Sequence, residues 1–156
     1  MSDSEMYDLA VIGSGPGGYH SAIRAAQYGA KVALIEKDKL GGTCLNTGCI
    51  PAKALYASAD LIQKLRESGA DHGIISDYQL DFARAVERKN RVVKELTDGI
   101  ATLEKGWKND VFMGHGKILD GNTEAGFTIS IEGKECGEVN ARTDCNTKIY
   151  LQHSGN

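Results

Sequence analysis

The sequence lacks a transmembrane segment, a secretory signal and the excess of positive charge that is typical of nucleic-acid-binding proteins. None of its apolar runs approaches the roughly 20 residues that a transmembrane helix needs. The opening stretch MSDSEMYDLAVIG is acidic before its apolar run, which is the reverse of a secretory signal. Lys and Arg number 18 against 21 Asp and Glu, and this net charge of −3 leaves no general excess of positive charge for binding phosphates. We therefore expect a cytoplasmic protein with neither a membrane nor a nucleic acid as partner.

Cysteine is also scarce, with four residues in the chain. Because cytoplasmic thiols are mostly reduced, a disulfide in such a protein is more often catalytic than structural. Zinc sites use tightly spaced cysteine pairs, whereas four residues separate Cys44 from Cys49 and eight separate Cys136 from Cys145. This spacing disfavours zinc, and we predict no metal site.

The composition, 41% hydrophobic and 25% charged, is that of one soluble globular domain. Short apolar runs indicate buried strands, and apolar residues at three- and four-residue steps indicate helices. The predicted elements are a strand over 7–12, a helix over 16–28, a strand over 31–36, helices over 51–69 and 81–105, a strand over 110–119, an antiparallel strand over 127–133 and a short strand over 148–152.

Three glycines, Gly13, Gly15 and Gly18, have the G-x-G-x-x-G spacing between the first predicted strand and the helix after it. This context is typical of dinucleotide binding, because the glycines allow a tight turn and let a pyrophosphate reach the backbone amides at the helix start. Glu36 ends the second strand, where an acid accepts the hydroxyls of an adenosine ribose. The motif does not separate FAD from NAD, and it is also compatible with a plain tight turn and a surface carboxylate. It predicts the α/β class, with a Rossmann-like parallel sheet and a small antiparallel β segment near the C-terminus.

The stretch GGTCLNTGCIPAK contains the closer cysteine pair. Pro51 suits the first turn of a helix, so Cys49 lies at the helix entrance, where unpaired N–H groups and the helix dipole favour a thiolate. Lys53 adds positive charge nearby. This setting is typical of a reactive sulfur.

A disulfide between Cys44 and Cys49 requires a bent backbone. Five residues of regular helix rise about 7.5 Å, which is beyond disulfide range. Asn46 and Gly48 suit such a bend. A loop this small gains little stability from closure, so the pair is a poor structural staple and a plausible redox switch.

Three stretches, VIGSGPGGY, ALIEKDKLGGTCLNTGCIPAKAL and GHGKI, resemble the N-terminal part of the dihydrolipoyl dehydrogenases, which are flavin-dependent pyridine nucleotide–disulfide oxidoreductases. The resemblance extends from about residue 7 to residue 119. It implies that residues 1–156 form a single FAD-binding domain. The NAD-binding and dimerisation domains with which such enzymes continue are absent from this sequence, and we expect an incomplete parallel sheet with an exposed edge.

The resemblance also implies roles for individual residues. Cys49 would lie beside the flavin ring in a charge-transfer contact, and Cys44 would exchange with the dithiol substrate. The implied cofactor-binding residues are Gly13, Ser14, Gly15, Pro16, Gly17, Gly18, Glu36, Lys37, Gly41, Gly42, Thr43, Cys44, Lys53 and Gly116.

The implied reaction oxidises dihydrolipoamide through the Cys44–Cys49 disulfide and FAD, with NAD as the final acceptor. The implied partners are the lipoyl groups of 2-oxo acid dehydrogenase or glycine cleavage complexes, and the family forms homodimers. Because the NAD-binding domain is missing here, we expect little or no turnover from these residues alone. Two alternatives remain open: a dinucleotide-binding fragment without catalysis, and a piece of a related disulfide or mercuric reductase.

Overall fold

A computed structural model describes residues 6–75, 77–122 and 124–146, with residues 145 and 146 described by their backbone alone. The strands and helices, in chain order, are β1 Met6–Ile12, α1 Pro16–Gln27, β2 Val32–Glu36, α2 Gly42–Asn46, α3 Cys49–Ser68, α4 Phe82–Gly106, β3 Asp110–Asn122, β4 Gly126–Gly133 and β5 Gly137–Asn146, with a single 3₁₀ turn at Ala70–His72 between α3 and α4. The strand expected at 148–152 lies outside the described residues.

The five strands close into a ring in the order β1-β2-β3-β4-β5. The pairings of β1 with β2 and of β2 with β3 are parallel, as expected for a βαβ unit. Beyond Met113, β3 turns to antiparallel pairing with β4, and β4 pairs with the first half of β5 in the same way. The second half of β5 then returns to β1 in parallel register, with Ala10 opposite Asp144. The predicted exposed edge was therefore wrong for the described strands, because β5 occupies the free side of β1.

Alternation along β1 and β2 divides the buried residues between two faces of the sheet. Ile12 and Ile35 lie on the face that packs with residues of β4 and β5, whereas Val11 and Leu34 lie on the face covered by α1. All four side chains are at most 1% exposed. Strands buried on both faces have continuous apolar sequences, which is why these two were readable from the sequence.

Helix α3 begins two residues earlier than the sequence suggested, at Cys49 rather than Pro51. A proline is tolerated anywhere in the first helical turn, because the first four N–H groups have no partner within the helix. Helix α4 begins as expected after Asp81, whose side chain accepts a hydrogen bond from the backbone N–H of Arg84 at 3.1 Å.

The described residues contain no helix that is both long and apolar enough to cross a membrane. Within the same ranges, no three His, Cys, Asp or Glu side chains come together as a set of metal ligands.

Candidate functional site

The first glycine turn follows β1 directly. Gly13 has a φ of +98°, a value that favours glycine, and its N–H donates to the carbonyl of Ile35 at 2.7 Å. Gly15 then caps α1 without any side-chain cap, and Pro16 is the first helical residue. A Cβ added to Gly15 would meet no atom within 4 Å, so this side of the turn is open. An open glycine turn at the start of a twelve-residue helix can accept a phosphate.

A second glycine turn lies on the first. The N–H of Gly41 donates to the carbonyl of Ser14 at 2.9 Å. A Cβ added to Gly42 would stand only 2.8 Å from the Cα of Gly15, so no other residue fits at position 42 without movement. Gly41 and Gly42 both have positive φ, +92° and +60°. The two turns therefore form one surface, and the chain passes from it directly into α2.

Glu36 lies at the end of β2, beside the first turn, and is only 7% exposed. Its Oε2 accepts two hydrogen bonds from Ser14, one from the backbone N–H at 2.8 Å and one from the hydroxyl at 2.7 Å. Its Oε1 accepts the backbone N–H of Asp38 at 3.0 Å. A carboxylate offers about four acceptor sites, of which the described residues fill three, so about one is left for a ligand hydroxyl. This arrangement fits a ribose. The hydrogen bonds from Ser14 and Asp38 orient the Glu36 carboxylate, which the glycine motif alone does not predict.

Cys44 lies within α2 and Cys49 begins α3, and both are free thiols. Between the helices the chain turns back at Gly48, where an added Cβ would stand 3.0 Å from the carbonyl oxygen of Thr43 and 3.3 Å from the Cα of Cys44. The bend that a disulfide requires is therefore present, and Gly48 makes it possible.

The two thiols interact electrostatically. Hydrogen bonding to the Cys49 side chain, then partial burial and the charge of Cys49, raise the pKa of the Cys44 thiol, whereas the N–H of Cys49 and the charge of Lys53 act in the opposite direction. The Cys49 N–H belongs to the first residue of α3, so the Cys44 sulfur also faces the amino end of that helix. Two thiols in this position can share a proton, and they can join as a disulfide when an acceptor takes up two electrons and two protons.

The structure brings most of the predicted site residues to one end of the sheet. A Cβ added to Gly116 in β3 would stand 3.0 Å from Ile35 and 3.3 Å from Ile12, so Gly116 lies against the strand ends that carry both turns. Lys37 is exposed beyond β2, and Lys53 is exposed in the first turns of α3. The remaining predicted contacts, Pro16, Gly17, Gly18 and Thr43, lie at the starts of α1 and α2.

The sequence does not predict the short helix α2 or the hydrogen bonds that the Asn46 side chain makes. The side-chain amide of Asn46 donates to the carbonyls of Leu40 and Gly42, both at 2.9 Å. In the sequence, the asparagine between two cysteines indicates only that the chain can bend there.

Comparison with known proteins shows which family the chain resembles. The family described as pyridine nucleotide-disulphide oxidoreductase matches residues 7–136. A dihydrolipoyl dehydrogenase from Acholeplasma laidlawii is 46% identical over 121 residues, which are 76% of this chain and 36% of that protein. A dihydrolipoyl dehydrogenase from Bacillus subtilis is 44% identical over 128 residues, or 81% of this chain and 27% of its own length. The chain thus spans about a third or less of the curated relatives it matches.

A solved structure shares the fold. It is a copper(II) complex of a cysteine-to-serine mutant of the HOCl-induced flavoprotein disulfide reductase RclA from Escherichia coli, 26% identical, with a TM-score of 0.70. The match covers 91% of this chain and 28% of that one. Flavoproteins of this family bind FAD. Because the family match includes both glycine turns and the cysteine pair, this chain belongs to the pyridine nucleotide-disulphide oxidoreductase family.

Proposed function

We propose that the chain is the FAD-binding part of a dihydrolipoyl dehydrogenase and that Cys44 and Cys49 cycle between a dithiol and a disulfide. One observation carries the proposal: α2, which carries Cys44 and is called the cysteine helix below, begins at Gly42, and Gly42 lies directly against Gly15 of the first glycine turn. A cofactor bound along the two turns therefore leads to the two sulfurs.

The residues present fit FAD. The open turn at Gly15 and the uncapped start of α1 would hold the pyrophosphate, and the remaining acceptor site of Glu36 would hold a ribose hydroxyl. We propose further contacts with FAD from Lys37, Thr43 and Gly116, which lie near the same end of the sheet. When bound, the flavin would supply the hydride chemistry that no side chain of the protein offers.

The protein's own chemistry is thiol–disulfide exchange. A dithiol substrate, which we take to be a reduced lipoyl group, attacks Cys44 of the disulfide and releases Cys49 as a thiolate. The second thiol of the substrate then attacks the substrate sulfur that is bound to Cys44, and Cys44 leaves as a thiolate. One disulfide is broken and one is formed, and two electrons and two protons pass from the substrate to the cysteine pair. Cys49 is the first residue of α3, so the released sulfur lies at the amino end of that helix.

The activity of the whole relatives is a proposal for this chain. NAD would be the final acceptor, the lipoyl groups of 2-oxo acid dehydrogenase or glycine cleavage complexes would be the partners, and the assembly would be a homodimer in the cytoplasm. We expect the 156 residues alone to show little or no NAD-dependent turnover. Vigorous turnover by the purified chain would contradict this expectation.

The test of the proposal combines a spectrum with a thiol assay. The purified chain is mixed with FAD and desalted, and retained flavin absorbance is measured. A dithiol is then added to the oxidised chain, with Cys44→Ser as the matched variant. We expect both proteins to retain FAD and only the wild type to consume the dithiol. A chain that retains no FAD would overturn the cofactor assignment.

Two other functions give different results in the same assay. A dinucleotide-binding fragment without catalysis would retain the nucleotide and would not consume the dithiol. Cys44→Ser would then change neither measurement. A related disulfide or mercuric reductase is favoured by the structural likeness to a flavoprotein disulfide reductase. Such an enzyme would oxidise the pair with a disulfide or bind mercuric ion, and would not prefer a reduced lipoyl group.

A further inference from the structure

The side chain of Asn46 ties the cysteine helix to the second glycine turn. Asn46 is the last residue of α2, and its Nδ2 amide donates to the carbonyls of Leu40, before the turn, and Gly42, at the start of the helix. Both distances are 2.9 Å, and both contacts are partly buried. The two N–H groups of one amide thus serve two carbonyls on both sides of Gly41.

Helix α2 needs this support because it has only five residues. Isolated helices shorter than about 12 residues are marginal in water, so α2 depends on contacts outside itself. Leu45, 7% exposed, supplies one such contact by packing against Gly41, where an added Cβ would meet it at 2.8 Å. Asn46 supplies polar contacts to the same stretch, through the carbonyls of Leu40 and Gly42. Both anchoring residues follow Cys44 directly in the chain.

We propose that Asn46 is a positioning residue for the cysteine pair, whose side-chain amide holds α2 where Cys44 meets Cys49 and so favours the disulfide over the dithiol. The inference rests on the proposed function, in which the pair forms a disulfide. A disulfide tolerates only a narrow range of Cα separations and torsions. If α2 is already ordered in the dithiol, closing the bond costs little further conformational entropy. If α2 is loosened, that ordering cost falls on disulfide formation.

The measurement is the equilibrium between the dithiol and the disulfide. The purified 156-residue chain is equilibrated in mixtures of oxidised and reduced dithiothreitol, quenched, and assayed for the Cys44–Cys49 disulfide by mass spectrometry. In the reaction the two thiols lose two electrons and two protons as their S–S bond forms. The cyclic disulfide of the reagent takes up both and becomes a dithiol, so one equilibrium constant describes the exchange.

We expect Asn46→Ala to lower this constant about fivefold or more, the equivalent of roughly one net hydrogen bond. Asn122→Ala is the matched control. Asn122 also anchors the backbone with its side chain, accepting from Glu124 at 2.9 Å and Ala125 at 2.8 Å, but it does so in the turn after β3. Its substitution is expected to lower stability slightly and to leave the redox equilibrium unchanged.

A purely structural role would give a different pattern. If Asn46 stabilised the dithiol and disulfide forms equally, its loss would lower the unfolding midpoint of both and leave the constant at the wild-type value. That result, or an effect no larger than that of Asn122→Ala, overturns the inference. If the alanine variant does not fold, Asn46→Ser, which keeps one donor, replaces it under the same criterion. A wild-type chain that forms no Cys44–Cys49 disulfide would refute the proposed function itself.

Discussion

Gly42 lies so close to Gly15 that a Cβ on Gly42 would stand 2.8 Å from the Gly15 Cα. This contact joins the turn after β1 to the start of the helix that carries Cys44. The turn proposed to bind the nucleotide and the helix that carries Cys44 are thus in direct backbone contact. We expect a substitution at either glycine to change the geometry of both.

Gly42→Ala tests this contact. The added methyl meets backbone atoms that cannot move aside, and the φ of +60° disfavours any side chain. Overpacking of about 1–3 kcal/mol and a left-handed residue at about 1–2 kcal/mol predict a loss of roughly 2–5 kcal/mol in the free energy of unfolding. Urea denaturation measures it.

Gly99→Ala is the matched control for that experiment. Gly99 lies in α4, where an added Cβ meets no atom within 4 Å, so alanine is expected to stabilise the helix by about 0.5–1 kcal/mol. Equal midpoints for wild type and Gly42→Ala would show that the two turns are not in tight contact.

Glu36→Gln tests the ribose assignment. The carboxylate accepts two hydrogen bonds from Ser14 and one from Asp38, and an amide cannot accept at both ends. Hydrogen bonds to a charged group contribute about 1.5–3 kcal/mol, so we expect FAD affinity to fall by about tenfold to a hundredfold. Flavin fluorescence titration measures the affinity.

A ligand comparison separates ribose binding from a general loss of structure. ADP and 2′-deoxy-ADP are titrated into both proteins. We expect the wild type to prefer ADP and Glu36→Gln to lose most of that preference. If the preference is the same in both proteins, Glu36 does not bind the ribose hydroxyl.

The sequence was informative where local spacing alone decides the structure. β1, α1 and β2 follow from two apolar runs and the glycine-rich stretch between them, and Gly13 has the positive φ that its place after a strand suggested. Cys49 at a helix start followed from Pro51 within two residues. These features need no knowledge of distant residues.

The features that were not predicted are held by distant contacts. β5, with the sequence GEVNARTDCN, is too polar to show an apolar alternation, yet Val139 and Ala141 are buried because the strand pairs with both β4 and β1. Helix α2 is too short to show any periodicity and depends on Asn46 and Leu45. Pairing and anchoring of this kind depend on tertiary structure, which the local pattern does not contain.

Cys49→Ala is expected to make Cys44 more acidic. The hydrogen bond to the Cys49 side chain is the first cause of the raised pKa of Cys44, and its charge adds to the effect. Without that side chain the pKa of Cys44 falls, and more thiolate is present at neutral pH. The alkylation rate of Cys44 by iodoacetamide, followed by mass spectrometry, should therefore rise at a given pH.

Cys136 serves as the internal standard for this alkylation. It is exposed near Gly133, whose carbonyl accepts its thiol at 3.3 Å, and it lies outside the cysteine helix. Its rate should be the same in wild type and Cys49→Ala. A slower or unchanged rate at Cys44, with Cys136 constant, would contradict the stated cause of the raised pKa.

Glu104 and Asn109 form a buried pair where α4 passes into β3. Glu104 is 0% and Asn109 7% exposed, and the Asn109 amide donates to Oε2 of Glu104 at 2.6 Å. Within the described part of the chain, Oε1 of Glu104 and Oδ1 of Asn109 have no hydrogen-bond partner. Both are acceptors when the carboxylate is ionised. A single proton on Oε1 would give the pair a donor, so the site favours the neutral acid.

Glu104→Gln is therefore expected to flatten the pH dependence of stability. Burial raises the pKa of Glu104 above its ordinary 4.5, and the Asn109 hydrogen bond opposes this only in part. The unfolded chain loses the proton first, so the folded chain binds more protons above pH 4.5, and stability falls by up to about 1.4 kcal/mol per pH unit until the folded pKa is passed. Glutamine carries a permanent donor and no titrating proton. Urea denaturation at several pH values measures the free energy of unfolding. As pH rises, we expect the stability of the variant to increase relative to that of the wild type. Parallel profiles would mean that Glu104 is ionised in the folded chain.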